Sequence, residues 1–186
     1  NFICIGTLTK RKNHIFILEV FNYLNQNGLL KKHNIQLQII GEGVELISLT
    51  NYIKENNLSK YVKILNNYEN LEEVYLQSYC LISASKLEGI PNVFIESLSF
   101  NLPIITSNIP AAFELCEEQN TLTKKIEEFM LVDYGIIFNN NKFINLVNAI
   151  IYLINNDNKY KKIKFGISRK ESKFSLDNNS KYLKLI

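Results

Sequence analysis

Residues 80–107 read CLISASKLEGIPNVFIESLSFNLPIITS, and the alternation that decides the fold is carried there. Cys80 to Ala84 is a short apolar run of strand length, broken by small residues and by the pair Glu88-Gly89. Gly89 and Pro91 keep the next stretch out of helix, and Asn92 is the predicted N-cap of a helix running to Phe100. Pro103 to Thr106 then starts a second β-branched run. A strand, a loop, an apolar-faced helix and another strand form a βαβ unit, in which the two strands run parallel.

The same rhythm extends in both directions. Phe2 to Ile5 reads as a strand ending at Gly6, and Asn13 to Asn27 as a helix with Ile17, Val20, Phe21 and Leu24 on one stripe. Ile35 to Ile40 is a strand closed by Gly41-Glu42-Gly43, followed by a helix over Glu45 to Asn56 and a strand over Tyr61 to Leu65. Leu71 to Ser78 reads as helix, Gly135 to Phe138 as strand and Lys142 to Asn155 as a long amphipathic helix. The reading is an α/β fold: a Rossmann-like parallel sheet with helices on both faces, in one domain spanning residues 1–186. Glu117 to Val132 breaks the rhythm; it is polar and reads as a partly helical insertion.

Bulk properties narrow the function classes. With 186 residues, 46% hydrophobic and 21% charged, the chain has the composition of a globular domain, not a disordered or collagenous one. No apolar run approaches the roughly 20 residues of a membrane span. A net charge of +3 suits an anionic small ligand but falls short of a nucleic-acid footprint. The dense basic run Lys159 to Lys170 lies on a predicted surface helix; it reads first as a solvated face and second as a patch for peripheral membrane contact. Cys4, Cys80 and Cys116 lie far apart without metal spacing, as buried thiols of a reducing compartment such as the cytoplasm. Asn1 in place of an initiator methionine is read as the start of a trimmed or partial chain.

Ligands of open parallel sheets bind beyond the carboxyl ends of the strands. Those ends are Gly6-Thr7, Gly41 to Gly43, Asn66-Asn67-Tyr68, Ser83 to Ser85 and Thr106-Ser107. The loop after Gly6 carries Lys10, Arg11 and Lys12 into a helix N-terminus, which suits phosphate. Gly41 and Gly43 permit close approach of backbone to a ligand, or a tight turn. Glu88 sits on the loop before the helix, and Glu96 lies about 6 Å up its axis among Val93, Phe94, Ile95 and Leu98. A carboxylate in such apolar company needs donors, which sugar hydroxyls would supply. The two acids can bracket a ligand whose negative charge rests on the N–H groups of Asn92 and Val93. His14 and His33 are isolated and read as structural or exposed.

Taken in order, Gly-x-Leu-x-x-x-Lys-Asn, Ile-Ile-Gly-x-Gly, Val-x-Ile-Leu, Ser-x-x-Glu-Gly-x-Pro-Asn-x-x-x-Glu and Leu-Pro-Ile-Ile-Thr-Ser resemble the C-terminal, donor-binding domain of group 1 glycosyltransferases, retaining enzymes of the GT-B fold. The likeness runs from Phe2 to about Asn155. It implies that Glu96 binds the ribose hydroxyls, that Glu88 contacts the donor sugar, and that the backbone of Gly89, Ile90, Pro91, Asn92 and Val93 holds the diphosphate. It also implies that Lys12 neutralises the departing diphosphate and that Asn67 and Tyr68 lie near the base. Gly6, Thr7, Arg11, Gly41 and Gly43 complete the expected donor site. Thr7 stands where the family usually has arginine, so Arg11 or Lys10 is the candidate second cation, and Val44 replaces a common proline.

The resemblance implies transfer of a sugar from a nucleoside diphosphate donor, UDP in first place, to a glycan or lipid-linked acceptor in bacterial surface polysaccharide synthesis. The acceptor domain would precede this chain, so the isolated piece is expected to be inactive. Neither a cofactor nor a metal is called for: the chain has no Asp-x-Asp pair and no His cluster. Two other readings stand beside it, a binding or scaffold domain inactivated at Thr7 and a GT-B epimerase acting on the nucleotide sugar itself.

Overall fold

A computed structural model of the chain describes residues 1–66, 70–89, 91–115 and 126–169. Its elements are β1 (Phe2–Ile5), α1 (His14–Gln26), α2 (Leu29–Lys32), β2 (Leu37–Ile40), α3 (Leu46–Glu55), β3 (Val62–Leu65), α4 (Leu71–Gln77) and β4 (Cys80–Ser83). They continue with α5 (Asn92–Ser99), β5 (Ile104–Ser107), α6 (Pro110–Glu114), β6 (Phe129–Val132), β7 (Gly135–Phe138), α7 (Phe143–Asn155) and α8 (Asp157–Ser168). The strands are short, and most of their residues are buried, as expected of a parallel sheet covered on both sides.

The sheet has the order β3-β2-β1-β4-β5-β7-β6. Phe2 pairs with Leu37 on one side and with Cys80 on the other, so β1 is the strand from which the order runs both ways. Right-handed crossovers then place α1 and α3 on one face, and α4 and α5 on the opposite one. α7 returns to the first face and packs on α1. One continuous core joins these layers, with Ile3, Leu18, Phe21, Ile39, Phe94 and Phe138 fully enclosed.

Two departures from the sequence reading concern the distal edge of the sheet. Part of the segment read as a polar, partly helical insertion forms β6, which pairs antiparallel with β7 in the register Val132 to Gly135. Only Asp133 and Tyr134 separate the two strands, a two-residue hairpin. The signal is present: Phe129 to Val132 is an apolar run of strand length, absorbed into a segment whose earlier residues are polar. Residues 116–125, with Cys116, lie outside the described residues. The sheet is therefore parallel except at this edge.

Elsewhere the expected elements are present with ends moved by one or two residues. α8 carries the basic run and pairs Lys161 with Asp157 one turn earlier, at 2.5 Å. Cys4 and Cys80 are free and buried; burial pushes the Cys4 thiol up to about 12, against the smaller pull of Lys12. Among the described residues no helix is long and apolar enough to cross a membrane.

Candidate functional site

The strand order reverses between β1 and β4, and in open parallel sheets ligands bind at such a place, beyond the carboxyl ends of the strands. This narrows the strand ends offered by the sequence to two principal loops. The β1 loop leaves the sheet at Gly6, whose φ of 149° is a conformation side chains rarely adopt. A Cβ there would sit 3.3 Å from Lys12 Cε, so the missing side chain lets the lysine stem lie against the strand end. The loop closes with Lys12 N–H and Asn13 N–H donating to the Thr9 carbonyl. Asn13, at φ 58°, turns the chain into α1.

Gly41 and Gly43 serve the same loop from the β2 side. Leu8 N–H donates to Glu42 O at 2.7 Å, and Glu45 N–H to Leu8 O at 3.1 Å. A Cβ on Gly41 would collide with the Gly6 carbonyl, and one on Gly43 with the backbone of Leu8. Beside the two uses read from the sequence, a ligand approach or a tight turn, the structure shows a third: close approach to the neighbouring loop, which is thereby held in shape.

The β4 loop meets the β1 loop directly. Lys86 N–H donates to Arg11 O at 2.9 Å, and the Arg11 guanidinium donates to Leu87 O at 3.1 Å. Glu88 turns inward, its side chain only 9% exposed, and takes Lys12 Nζ at 2.6 Å and Arg11 Nη1 at 2.8 Å. The Ser85 hydroxyl donates to the same carboxylate at 3.0 Å, and buried Ser107 anchors Ser85 by donating to its carbonyl at 2.6 Å. Burial raises the Glu88 pKa, but Lys12, Arg11 and Ser85 outweigh it and hold the carboxyl below its usual range. Lys12 and Glu88, expected to face different parts of one ligand, are thus ion-paired with each other.

α5 starts one residue earlier than predicted. Pro91, with φ −71° and ψ 131°, is the cap residue, and Asn92 is the first helical residue, without a side-chain cap bond. Proline presets the entry angle and has no N–H to leave unmet. The N–H groups of Asn92 and Val93 are among those a helix start leaves without an intrahelical acceptor. Asn92 is exposed, Val93 partly buried, and Phe94, Ser97 and Leu98 anchor the other face.

Glu96 projects from this helix half-buried, and its donor is a protein group: Tyr75 Oη donates to Glu96 Oε2 at 2.7 Å. The sequence reading names sugar hydroxyls as the donors to this carboxylate; Tyr75 is a donor it does not name. Tyr75, on α4, is 2% exposed, and its ring stacks on Phe100 with centroids 5.2 Å apart. Burial, then Glu96, raises its phenol well above the ordinary range, so the hydroxyl stays a donor. The sequence reading places Tyr75 in a helix without singling it out; the available signal is that a buried tyrosine hydroxyl needs a partner. Ser85 is named only as part of a strand end, with no role of its own.

The remaining expected residues divide. Thr7 is exposed on the β1 loop, and Gly89 faces open space. Asn67, Tyr68 and Ile90 lie outside the described residues. Leu46, Ile47, Thr50, Asn51, Ile64 and Asn66 line an open cleft of about 370 Å³ between α3 and the carboxyl end of β3. His14 is buried at the start of α1, and burial together with the Lys12 charge lowers it to about 4. Among the described residues no group of three or more His, Cys, Asp or Glu is placed to hold a metal.

Residues 1–166 match the family described as "Glycosyl transferases group 1". The chain is 33% identical over 138 residues to the uncharacterized glycosyltransferase MJ1059 of Methanocaldococcus jannaschii, covering 73% of this chain and 33% of that protein. It is 30% identical over 113 residues to the O-antigen biosynthesis glycosyltransferase WclY of Escherichia coli, covering 61% of this chain and 30% of that one. Among solved structures, S. aureus TarM in complex with Fondaparinux, alpha-GlcNAc-glycerol and UDP superposes with a TM-score of 0.71 at 19% identity, over 99% of this chain and 35% of that one. The chain thus spans about a third of the length of these proteins.

Proposed function

The chain belongs to the group 1 glycosyltransferases, and from that premise we propose that it is the donor-binding half of a retaining GT-B enzyme that transfers sugar from a nucleoside diphosphate sugar. The observation that carries this reading is the convergence of Lys12, Arg11 and Glu88 at the reversal of strand order, with Glu96 on the adjoining helix. UDP is the preferred nucleotide, because a structurally similar protein holds it. The acceptor is a glycan or lipid-linked chain of a bacterial surface polysaccharide, by analogy with the O-antigen relative. It would be held by a further domain outside this sequence. The exposed lysines and Phe165 of α8 support a peripheral contact at the inner face of the membrane.

In this reading the diphosphate sits on the N–H groups of Asn92 and Val93 and draws Lys12 away from Glu88. Glu88, released, turns to the sugar hydroxyls, and Glu96 takes the ribose. Negative charge grows on the diphosphate as the glycosidic bond breaks. Fixed cations and N–H dipoles favour that state more than the ground state. Arg11 stands in for the arginine absent at Thr7, since it reaches the same carboxylate as Lys12 from the same loop. The open cleft between α3 and the end of β3 receives the base.

Calorimetric titration with uridine and guanosine diphosphates tests the reading. Binding of one of them, weakened at least about tenfold by Glu96→Ala, is the expected result. A scaffold domain, the reading favoured by Thr7, would bind neither and would be indifferent to Glu96→Ala.

A further inference from the structure

We propose that Tyr75 is a positioning residue for nucleotide recognition: it fixes the carboxylate of Glu96 so that the site tells a ribose from a deoxyribose. The inference rests on the donor-site reading of Glu96 and extends it to a residue on the other side of the α4–α5 interface. A glutamate side chain carries considerable rotamer freedom, and ordering it on ligand binding costs up to about 2 kcal/mol. Glu96 is spared much of that cost. Its Oε2 is tethered at 2.7 Å to a hydroxyl that cannot itself move, because the tyrosine ring is enclosed and stacked at 10° to Phe100.

The tether also divides the carboxylate's acceptor capacity. Oε2 spends one lone pair on Tyr75, leaving Oε1 and the second lone pair of Oε2 for a vicinal diol. Held in that orientation, the group offers a fixed two-point acceptor, and a sugar lacking one hydroxyl leaves part of it unpaired. Sites built to bond a hydroxyl discriminate most sharply against its absence, provided the partner is preorganised. The loop side of the site makes no such contact: Glu88, Lys12 and Arg11 are tied to one another.

The test compares uridine diphosphate with 2′,3′-dideoxyuridine diphosphate by calorimetry on the chain. Tyr75→Phe removes one oxygen and keeps the ring. It is expected to weaken uridine diphosphate about five- to tenfold while leaving the dideoxy analogue within about twofold, as partial loss of the preorganisation of Glu96 predicts. Glu96→Ala should abolish the discrimination, and adding Tyr75→Phe to it should change nothing further. Phe100→Leu, which loosens the ring and keeps the hydroxyl, should give a smaller loss in the same direction, and it carries the test should Tyr75→Phe not fold. Equal weakening of both nucleotides by Tyr75→Phe, or no change in either, overturns the proposal. Unchanged discrimination in Glu96→Ala instead overturns the ribose-binding reading beneath it, as does a native chain that binds no nucleoside diphosphate.

Discussion

Lys12 has one ammonium and two anions to serve: Glu88 in the free chain, and the diphosphate in the proposed complex. The pair has a testable sign. Glu88→Gln keeps the shape but frees Lys12 and Arg11 from a competing carboxylate, so nucleoside diphosphate should bind about three- to tenfold tighter. The same variant should cost at least about 100-fold in sugar transfer by the full-length enzyme, because a group aimed at the sugar is lost. A parallel fall in binding and turnover would contradict the ion-pair account. Because the folded Glu88 carboxyl titrates below its ordinary range, its stabilising contribution is complete above that range and is lost as pH falls through it. His14 acts in a higher window. Its folded value of about 4 lies below the ordinary 6.5, so between those values the unfolded chain binds a proton the folded chain refuses. Stability should therefore fall by about 3 kcal/mol from pH 7 to pH 4 on this account. His14→Leu should flatten that slope without lowering stability at pH 7, since neither ring nitrogen has a hydrogen-bond partner among the described residues. Denaturant unfolding across pH measures both.

At the scale of elements, the β1 and β2 loops form one backbone assembly. Gly41→Ala and Gly43→Ala each force a side chain onto neighbouring backbone at φ values of 150° and 155°. Each should destabilise by about 2–4 kcal/mol, read as a lower denaturant midpoint with an unchanged slope. Gly89→Ala meets nothing within 4 Å and should leave the midpoint within about 0.5 kcal/mol. The sequence did not show which of the three glycines a side chain would disrupt, because a glycine's reason is written in its neighbours and not in its own letter. α5 gives a similar lesson. Its apolar face was legible from Phe94 and Leu98, but the cap moved from Asn92 to Pro91, and the donor to Glu96 came from α4. Phe94→Ala, removing a fully buried ring between α5 and the sheet, should cost about 3–5 kcal/mol.

For the whole molecule, a chain about a third the length of its relatives should bind without completing the reaction. Nucleoside diphosphate binding by these 186 residues, with negligible sugar transfer until the remainder of the enzyme is supplied, is the expected outcome. Robust transfer by this chain would refute it; a radiolabelled-donor assay with and without the full-length protein decides. The sequence by itself determined the strand–helix alternation, the parallel sheet and the loops rich in cations and acids, because these depend on periods of two and 3.6 residues and on local turn chemistry. It did not determine that the β1 and β4 loops touch, that Lys12 spends its charge on Glu88, that Tyr75 holds Glu96, or that a half-exposed strand closes the edge beside β7. Those follow from which strands lie side by side. Strand adjacency is a long-range choice, made by burying both faces of the sheet at once, and it leaves no periodic mark in the chain.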